Sequence, residues 1–206
     1  MKVIRTWAWI LFFGSLWGIN EVVTSETLFR NQTFLASVWL AAGAFFILAV
    51  ARGVVNRPGT SVVIAGIAAG FKLVNASPFF CHLLGIFLIG VAFDAAASLL
   101  LRGGRKTALR HSLVGVSSAY SGFALFALII TYVIRYEYWV VGGPEKVINH
   151  IFASGSLAAG VAAFLVPLGY TLGCLGWSAL EKHPRWSSAG AAAGLIILWT
   201  LGRVSG

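Results

Sequence analysis

The chain of 206 residues is long enough for one compact domain, with 59% hydrophobic and only 10% charged residues. Soluble domains have about 45–50% apolar and about 25% charged residues, so this composition excludes a water-soluble fold. The net charge of +9 does not indicate a nucleic-acid partner, because the basic residues fall in short clusters between apolar runs. We therefore expect one integral membrane domain over residues 1–206, with the lipid bilayer as its surroundings.

The apolar runs predict an all-α, polytopic bundle of about seven transmembrane helices. A membrane-crossing helix needs about 20 mostly apolar residues, within a range of roughly 17–25. In chain order, the predicted helices cover residues 6–25, 33–51, 60–76, 79–101, 112–134, 151–176 and 187–203, and the longest connection, 135–150, is predicted to be an external loop. No small-residue cleavage motif follows the first run, which indicates a retained helix rather than a signal peptide. The third helix is the weakest, and a re-entrant third segment would leave six spans.

The basic clusters predict the orientation of the bundle. Ten of the fifteen lysines and arginines fall on one side of this topology, and the side richer in them faces the cytoplasm. The N-terminus is therefore predicted to be cytoplasmic and the C-terminus external. We expect an integral protein of a prokaryotic cytoplasmic membrane. The ten residues are Lys2, Arg5, Arg52, Arg57, Arg102, Arg105, Lys106, Arg110, Lys182 and Arg185.

Small residues at four-residue spacing predict close helix packing. Burying leucine does little to hold helices together in lipid, whereas glycine lets two backbones approach. The expected use of these pairs is packing within the bundle. The alternative, for the pair in the first helix, is a face that docks a partner protein. The pairs are Gly14/Gly18, Gly66/Gly70, Gly169/Gly173 and Gly190/Gly194.

Polar residues near the outer ends of several helices predict a binding site. Ionisable groups inside a bilayer are costly and mark functional sites by default. We expect them to line a hydrated cavity open to the exterior, in which Glu21 and Lys72 neutralise one another. Such a site suits a small polar or aromatic solute. The candidate substrate-binding residues are Trp17, Asn20, Glu21, Lys72, Asn75, His82, Glu137 and Trp139.

Structural roles remain open for several of these residues. Lys72 can extend its ammonium to the membrane interface along its aliphatic stem. Trp139, with its neighbouring tyrosines, can belong to an interfacial aromatic belt. His82 can cap a turn through a backbone carbonyl. Glu21 has fewer structural uses, because it lies among Trp17 and aliphatic residues.

Asp94 is an intramembrane polar residue of a different kind. It lies slightly inside the predicted midplane, with Ser98 and Arg102 following at four-residue steps. Twelve residues separate it from His82, which places the two about 120° apart around an ideal helix. We expect Asp94 to pair with Arg102 or with a hydroxyl on a neighbouring helix, or to face a partner. A proton relay is the alternative.

Enzyme and cofactor motifs are scarce. The chain has no H-E-x-x-H, C-x-x-C or G-x-S-x-G motif. Cys81, His82 and Glu21 are all residue types that bind zinc. However, Cys81 and His82 are adjacent at the start of one helix, which is a poor geometry for binding one ion. We therefore expect no metal and no cofactor, and no catalytic residue is assigned.

A small all-helical chain with no nucleotide motif and a polar pocket near its outer face resembles the substrate-binding (S) components of energy-coupling-factor vitamin transporters. Gly14 and Gly18 loosely match the small residues of that family's first helix. The resemblance implies capture of a micronutrient outside the cell, docking onto a transmembrane scaffold protein with ATPases, and no chemistry by this chain. The first hypothesis is thus a solute-binding transport subunit. The alternatives are an intramembrane enzyme acting on a lipid or quinone through Glu21, His82 or Asp94, and a structural subunit of a larger membrane complex.

Overall fold

The computed structural model describes residues 2–30, 35–76, 78–102, 107–181 and 184–205, and within them every regular element is helical. Residues 33 and 34 of the second predicted helix lie outside this set, as do 105, 106 and 182 among the basic residues used for orientation. The helices are α1 (Lys2–Arg30), α2 (Ala36–Val54), α3 (Thr60–Asn75), α4 (Phe80–Leu100), α5 (Ala108–Leu128), α6 (Glu137–Val141), α7 (Gly143–Asn149), α8 (Gly155–Glu181) and α9 (Pro184–Ser205). There are also two π-helical segments in this described part: Ile129–Val133 directly follows α5, and His150–Ser154 directly precedes α8.

Among the residues that the structure describes, five helical stretches are long and apolar enough to cross a membrane, which identifies an integral membrane protein. They are Ala36–Val54, Phe80–Leu100, Ala108–Val133, Gly143–Ser178 and Ser187–Val204. The predicted all-α bundle is confirmed, although two of the seven predicted spans fall short of these criteria. With 16 residues, α3 is about 24 Å long at 1.5 Å per residue, less than the roughly 30 Å hydrocarbon core. The other is α1, whose outer half includes Asn20, Glu21 and Glu26.

The helices pack in a fixed order around one core. α8 lies along both α2 and α5, α4 lies between α3 and α5, and α1 packs on α3, while α9 is attached chiefly through α1. Two fully buried rings, Phe45 of α2 and Phe93 of α4, stack with centroids 6.3 Å apart at the centre. Contacts between α1 and α2, α1 and α3, α3 and α4, and α4 and α5 join these five helices into one group.

Glycines set the closest helix contacts. A Cβ on Gly14 would lie 2.6 Å from Ile67, and one on Gly18 would lie 2.5 Å from Phe71. That face of α1 is thus covered by α3, in agreement with internal packing rather than the docking of a partner. In α8, Gly173 would place a Cβ 2.2 Å from the carbonyl oxygen of Val50 in α2.

The stretch from 135 to 150, predicted as a loop, instead forms the two short helices α6 and α7. Between them the chain changes direction at Gly143, whose φ is positive at 63°. The proline that follows Gly143 suits the first turn of α7. Trp139 and Val147 are buried in a second, smaller apolar cluster with Ala127 and Ile130. The prediction of a loop was wrong because these side chains give the segment an apolar face to bury against α5.

The expected pairing of Asp94 with Arg102 was wrong, because Arg102 is exposed at the end of α4. The carboxylate of Asp94 instead accepts hydrogen bonds from the backbone N–H groups of Gly59, at 2.8 Å, and Ser61, at 3.0 Å. It therefore caps the N-terminus of α3, where unpaired N–H groups and the helix dipole favour an anion. Gly59, in the N-cap position, has no side chain that could do this.

Arg52 completes this cap from α2. Its guanidinium lies 3.8 Å from the carboxylate of Asp94 and donates to the hydroxyl of Ser98 at 2.9 Å. Ser98 in turn donates to Asp94 at 3.4 Å. With only 2% of its surface exposed, Arg52 ties α2, α3 and α4 together. These contacts give Asp94 a structural role.

Candidate functional site

A cavity of about 120 Å³ lies beside the C-terminal halves of α1, α3 and α5 and the N-terminal halves of α2 and α4, and the second π-helical segment completes its wall. Its position follows from the helix ends, because Ser37 lies in the first turn of α2 and His82 in the first turn of α4. Much of the remaining wall is apolar and comes from residues such as Ile86, Ile89 and Phe126. Its polar lining residues are Glu21, Ser37, Lys72, Cys81, His82 and His150.

An ion pair forms part of the cavity wall. The ammonium Nζ of Lys72 lies 3.0 Å from Oε2 of Glu21, so the expected neutralisation is direct. The other carboxylate oxygen, Oε1, accepts a hydrogen bond of 3.2 Å from the indole Nε1 of Trp17. The side chains of Lys72 and Glu21 are only 3% and 7% exposed. Lys72 therefore points into the bundle rather than to the membrane interface.

Aromatic rings from α5 and the second π-helical segment form another part of the cavity wall. The imidazole of His150 stacks on Phe123, with ring centroids 4.8 Å apart. Trp139 does not line the cavity but packs edge-on behind two lining rings, 5.0 Å from His150 and 5.2 Å from Phe126. It is 8% exposed, so it is a buried support for this wall and not a member of an interfacial belt.

The predicted site residues separate into two groups. Glu21, Lys72 and His82 line the cavity and Trp17 bonds to its wall, whereas three others lie elsewhere. Asn20 lies at the α1–α2 contact, where its amide is 2.8 Å from the Cβ position of Gly43. Asn75 donates to the carbonyl of Phe71 at 2.8 Å and borders Gly202 of α9, and Glu137 is exposed at the start of α6.

Several lining residues were not predicted from the sequence. Gly122, Phe123 and Phe126 come from a continuous apolar run in α5, where nothing distinguishes a residue facing a cavity from one facing lipid. His150 was placed in an external loop, but it begins the π-helical segment before α8. Such segments are frequent at functional sites, and an isolated histidine before an apolar run was the available signal.

Neither a metal centre nor a related protein gives independent information on this site. In the parts of the chain that the structure describes, no three His, Cys, Asp or Glu side chains are placed to hold a metal ion. Comparisons with protein-family models, with curated proteins and with solved structures find no match. The fold and the cavity together define a helical integral membrane protein with a small, partly polar recess near one end.

Proposed function

We propose that this chain is a membrane-embedded binding subunit that captures a small molecule from the outer face for uptake, with no chemistry of its own. The observation that carries the proposal is the Glu21–Lys72 pair in the wall of an otherwise largely apolar cavity. An apolar recess with a few convergent polar groups is the usual form of a small-molecule site. As part of this proposal, the membrane is a prokaryotic cytoplasmic membrane, and the partner is a transmembrane scaffold protein with ATPases.

The cost of the ion pair supports a role in binding. Two buried charges are expensive to desolvate, and well-packed apolar residues of similar volume are often as stable or more so. An ion pair held in a cavity wall gives the site hydrogen-bonding groups in a fixed geometry, oriented by the indole of Trp17. By contrast, the second ion pair, Arg52–Asp94, is explained by the cap of α3.

Native mass spectrometry of the protein, released from its own membrane in a mild detergent, tests the proposal. We expect one retained small molecule per chain in the wild type and its loss in Gly85→Leu. Gly85 lines the cavity, and among the described residues a Cβ there meets only Phe126, at the ordinary contact distance of 3.8 Å, so the larger side chain is expected to occupy the cavity.

The matched control is Gly66→Leu, because a Cβ there meets no described atom within 4 Å. This variant should retain the molecule. Identical spectra for wild type and Gly85→Leu, or a wild type without any adduct, would contradict the proposal. A stable complex with other chains and no retained molecule would favour a structural subunit instead.

A further inference from the structure

We infer that the cavity takes a small uncharged molecule, about the size of one aromatic ring, and discriminates against ions of either sign. This inference rests on the proposed function and adds the class of ligand. It follows from the balance of charge in the wall, from the chemistry of the remaining lining, and from the volume.

The formal charges in the described cavity wall cancel. Glu21 and Lys72 are its carboxylate and its ammonium, and they are already paired at 3.0 Å. Asp94 is not part of this wall. Its carboxylate accepts hydrogen bonds from two backbone N–H groups at the opposite end of α3. Neither member of the wall pair has a surplus charge to offer a ligand.

A charged ligand would therefore leave one charge without a partner. An anion that pairs with Lys72 must either displace the carboxylate of Glu21 or share the ammonium with it, and in both cases one negative charge is left uncompensated. A cation that pairs with Glu21 would likewise leave one positive charge uncompensated in the cavity wall. An uncompensated charge in such surroundings costs several kcal/mol, whereas an uncharged ligand disturbs neither partner.

The remaining lining and the volume indicate a flat, largely apolar body. Phe123, Phe126 and His150 present rings to the cavity, and aromatic pairs add favourable energy beyond the area that they bury. The volume is about 120 Å³, close to that of an apolar cavity of about 150 Å³ that holds benzene in another protein. The hydroxyl of Ser37 adds a polar group to the lining, which suits one hydrogen-bonding substituent on the ligand.

A series of single-ring probes with equal size and different charge tests the inference. Benzamide, benzoate and benzylammonium are added to the purified protein at equal concentrations, and the midpoint of thermal unfolding is followed. A ligand of the folded state raises this midpoint by an amount that grows with the logarithm of the ratio of ligand concentration to Kd. For the wild type we expect benzamide to bind at least tenfold more tightly than either ion.

Two charge variants should change this order in opposite directions. In Glu21→Gln the Lys72 ammonium is left alone, so benzoate should bind and stabilise best. In Lys72→Met the Glu21 carboxylate is left alone, so benzylammonium should do so. Should either variant not fold, the wild-type order alone decides. Gly85→Leu should abolish stabilisation by every probe, and Gly66→Leu should retain the wild-type order.

The outcomes separate the inference from the proposed function. If the wild type binds benzoate or benzylammonium more tightly than benzamide, the inference of an uncharged ligand is wrong, but the proposed binding function is not contradicted. If no probe stabilises the wild type while a native spectrum still shows a retained molecule, the class is again wrong and the function stands. If neither a probe nor a retained molecule is bound, both fail.

Discussion

Glu21→Gln and Lys72→Met are each expected to lower the free energy of unfolding by about 3–5 kcal/mol, the usual cost of leaving one partner of a buried ion pair alone. The effect should be large because both side chains are at most 7% exposed and their atoms lie 3.0 Å apart. Reversible unfolding of the purified protein in mixed micelles measures it.

The double variant with both substitutions is the control. It removes both charges together, so it should be markedly more stable than the sum of the two single effects predicts, because paired residues do not behave additively. Single variants as stable as the wild type would contradict this expectation. They would mean that bulk water, and not a low-dielectric wall, surrounds the pair.

Gly173→Ala and Gly66→Ala are expected to change stability in opposite directions. A Cβ on Gly173 would lie 2.2 Å from the carbonyl oxygen of Val50 and 3.0 Å from the Cα of Gly53, so α8 and α2 would have to separate. Such overpacking costs typically 1–3 kcal/mol, occasionally more. In the same unfolding experiment, the free energy of unfolding of Gly173→Ala should be lower than that of the wild type by about this amount.

Gly66→Ala is the matched control, since both positions are helical and belong to four-residue glycine pairs. A Cβ on Gly66 meets no described atom within 4 Å, and alanine in a helix interior is favoured over glycine by roughly 0.5–1 kcal/mol. The free energy of unfolding of this variant should therefore be slightly higher than that of the wild type. Equal losses in both variants would show that the tight α2–α8 contact does not limit stability.

The short third helix shows how the two ion pairs divide their roles. At its N-terminus, Asp94 and Arg52 satisfy the backbone groups, and near its C-terminus Lys72 binds Glu21 of α1. A helix of 16 residues is too short to be held by spanning the bilayer alone. Charged contacts at both ends fix its position, and the C-terminal contact also lines the cavity.

The sequence was most informative where a polar residue interrupts an apolar run. Glu21 and Lys72 could be placed at one depth because each lies at a similar distance from the predicted outer end of its helix, and the structure brings them into contact. The helical class followed from composition, because in lipid a helix satisfies its own backbone hydrogen bonds.

Contacts that depend on which helices are neighbours could not be predicted. Apart from Ser98, the partners of Asp94 come from the start of α3 and from Arg52 of α2. Periodicity along α4 points only to residues of α4 or just beyond its end, such as Arg102. The cavity-facing rings of α5 were missed for a related reason, since Phe123 and Phe126 look like lipid-facing residues.

Protection of Cys81 tests most directly the claim that a small molecule binds in this cavity. Cys81 lines it, and in a Cys174→Ser background it is the protein's single thiol, so its alkylation by N-ethylmaleimide can be timed by mass spectrometry. We expect saturating benzamide to slow the reaction several-fold, and to have no such effect once Gly85→Leu fills the cavity. An alkylation rate that benzamide leaves unchanged in the Cys174→Ser protein would contradict the binding of an uncharged single-ring molecule at this site.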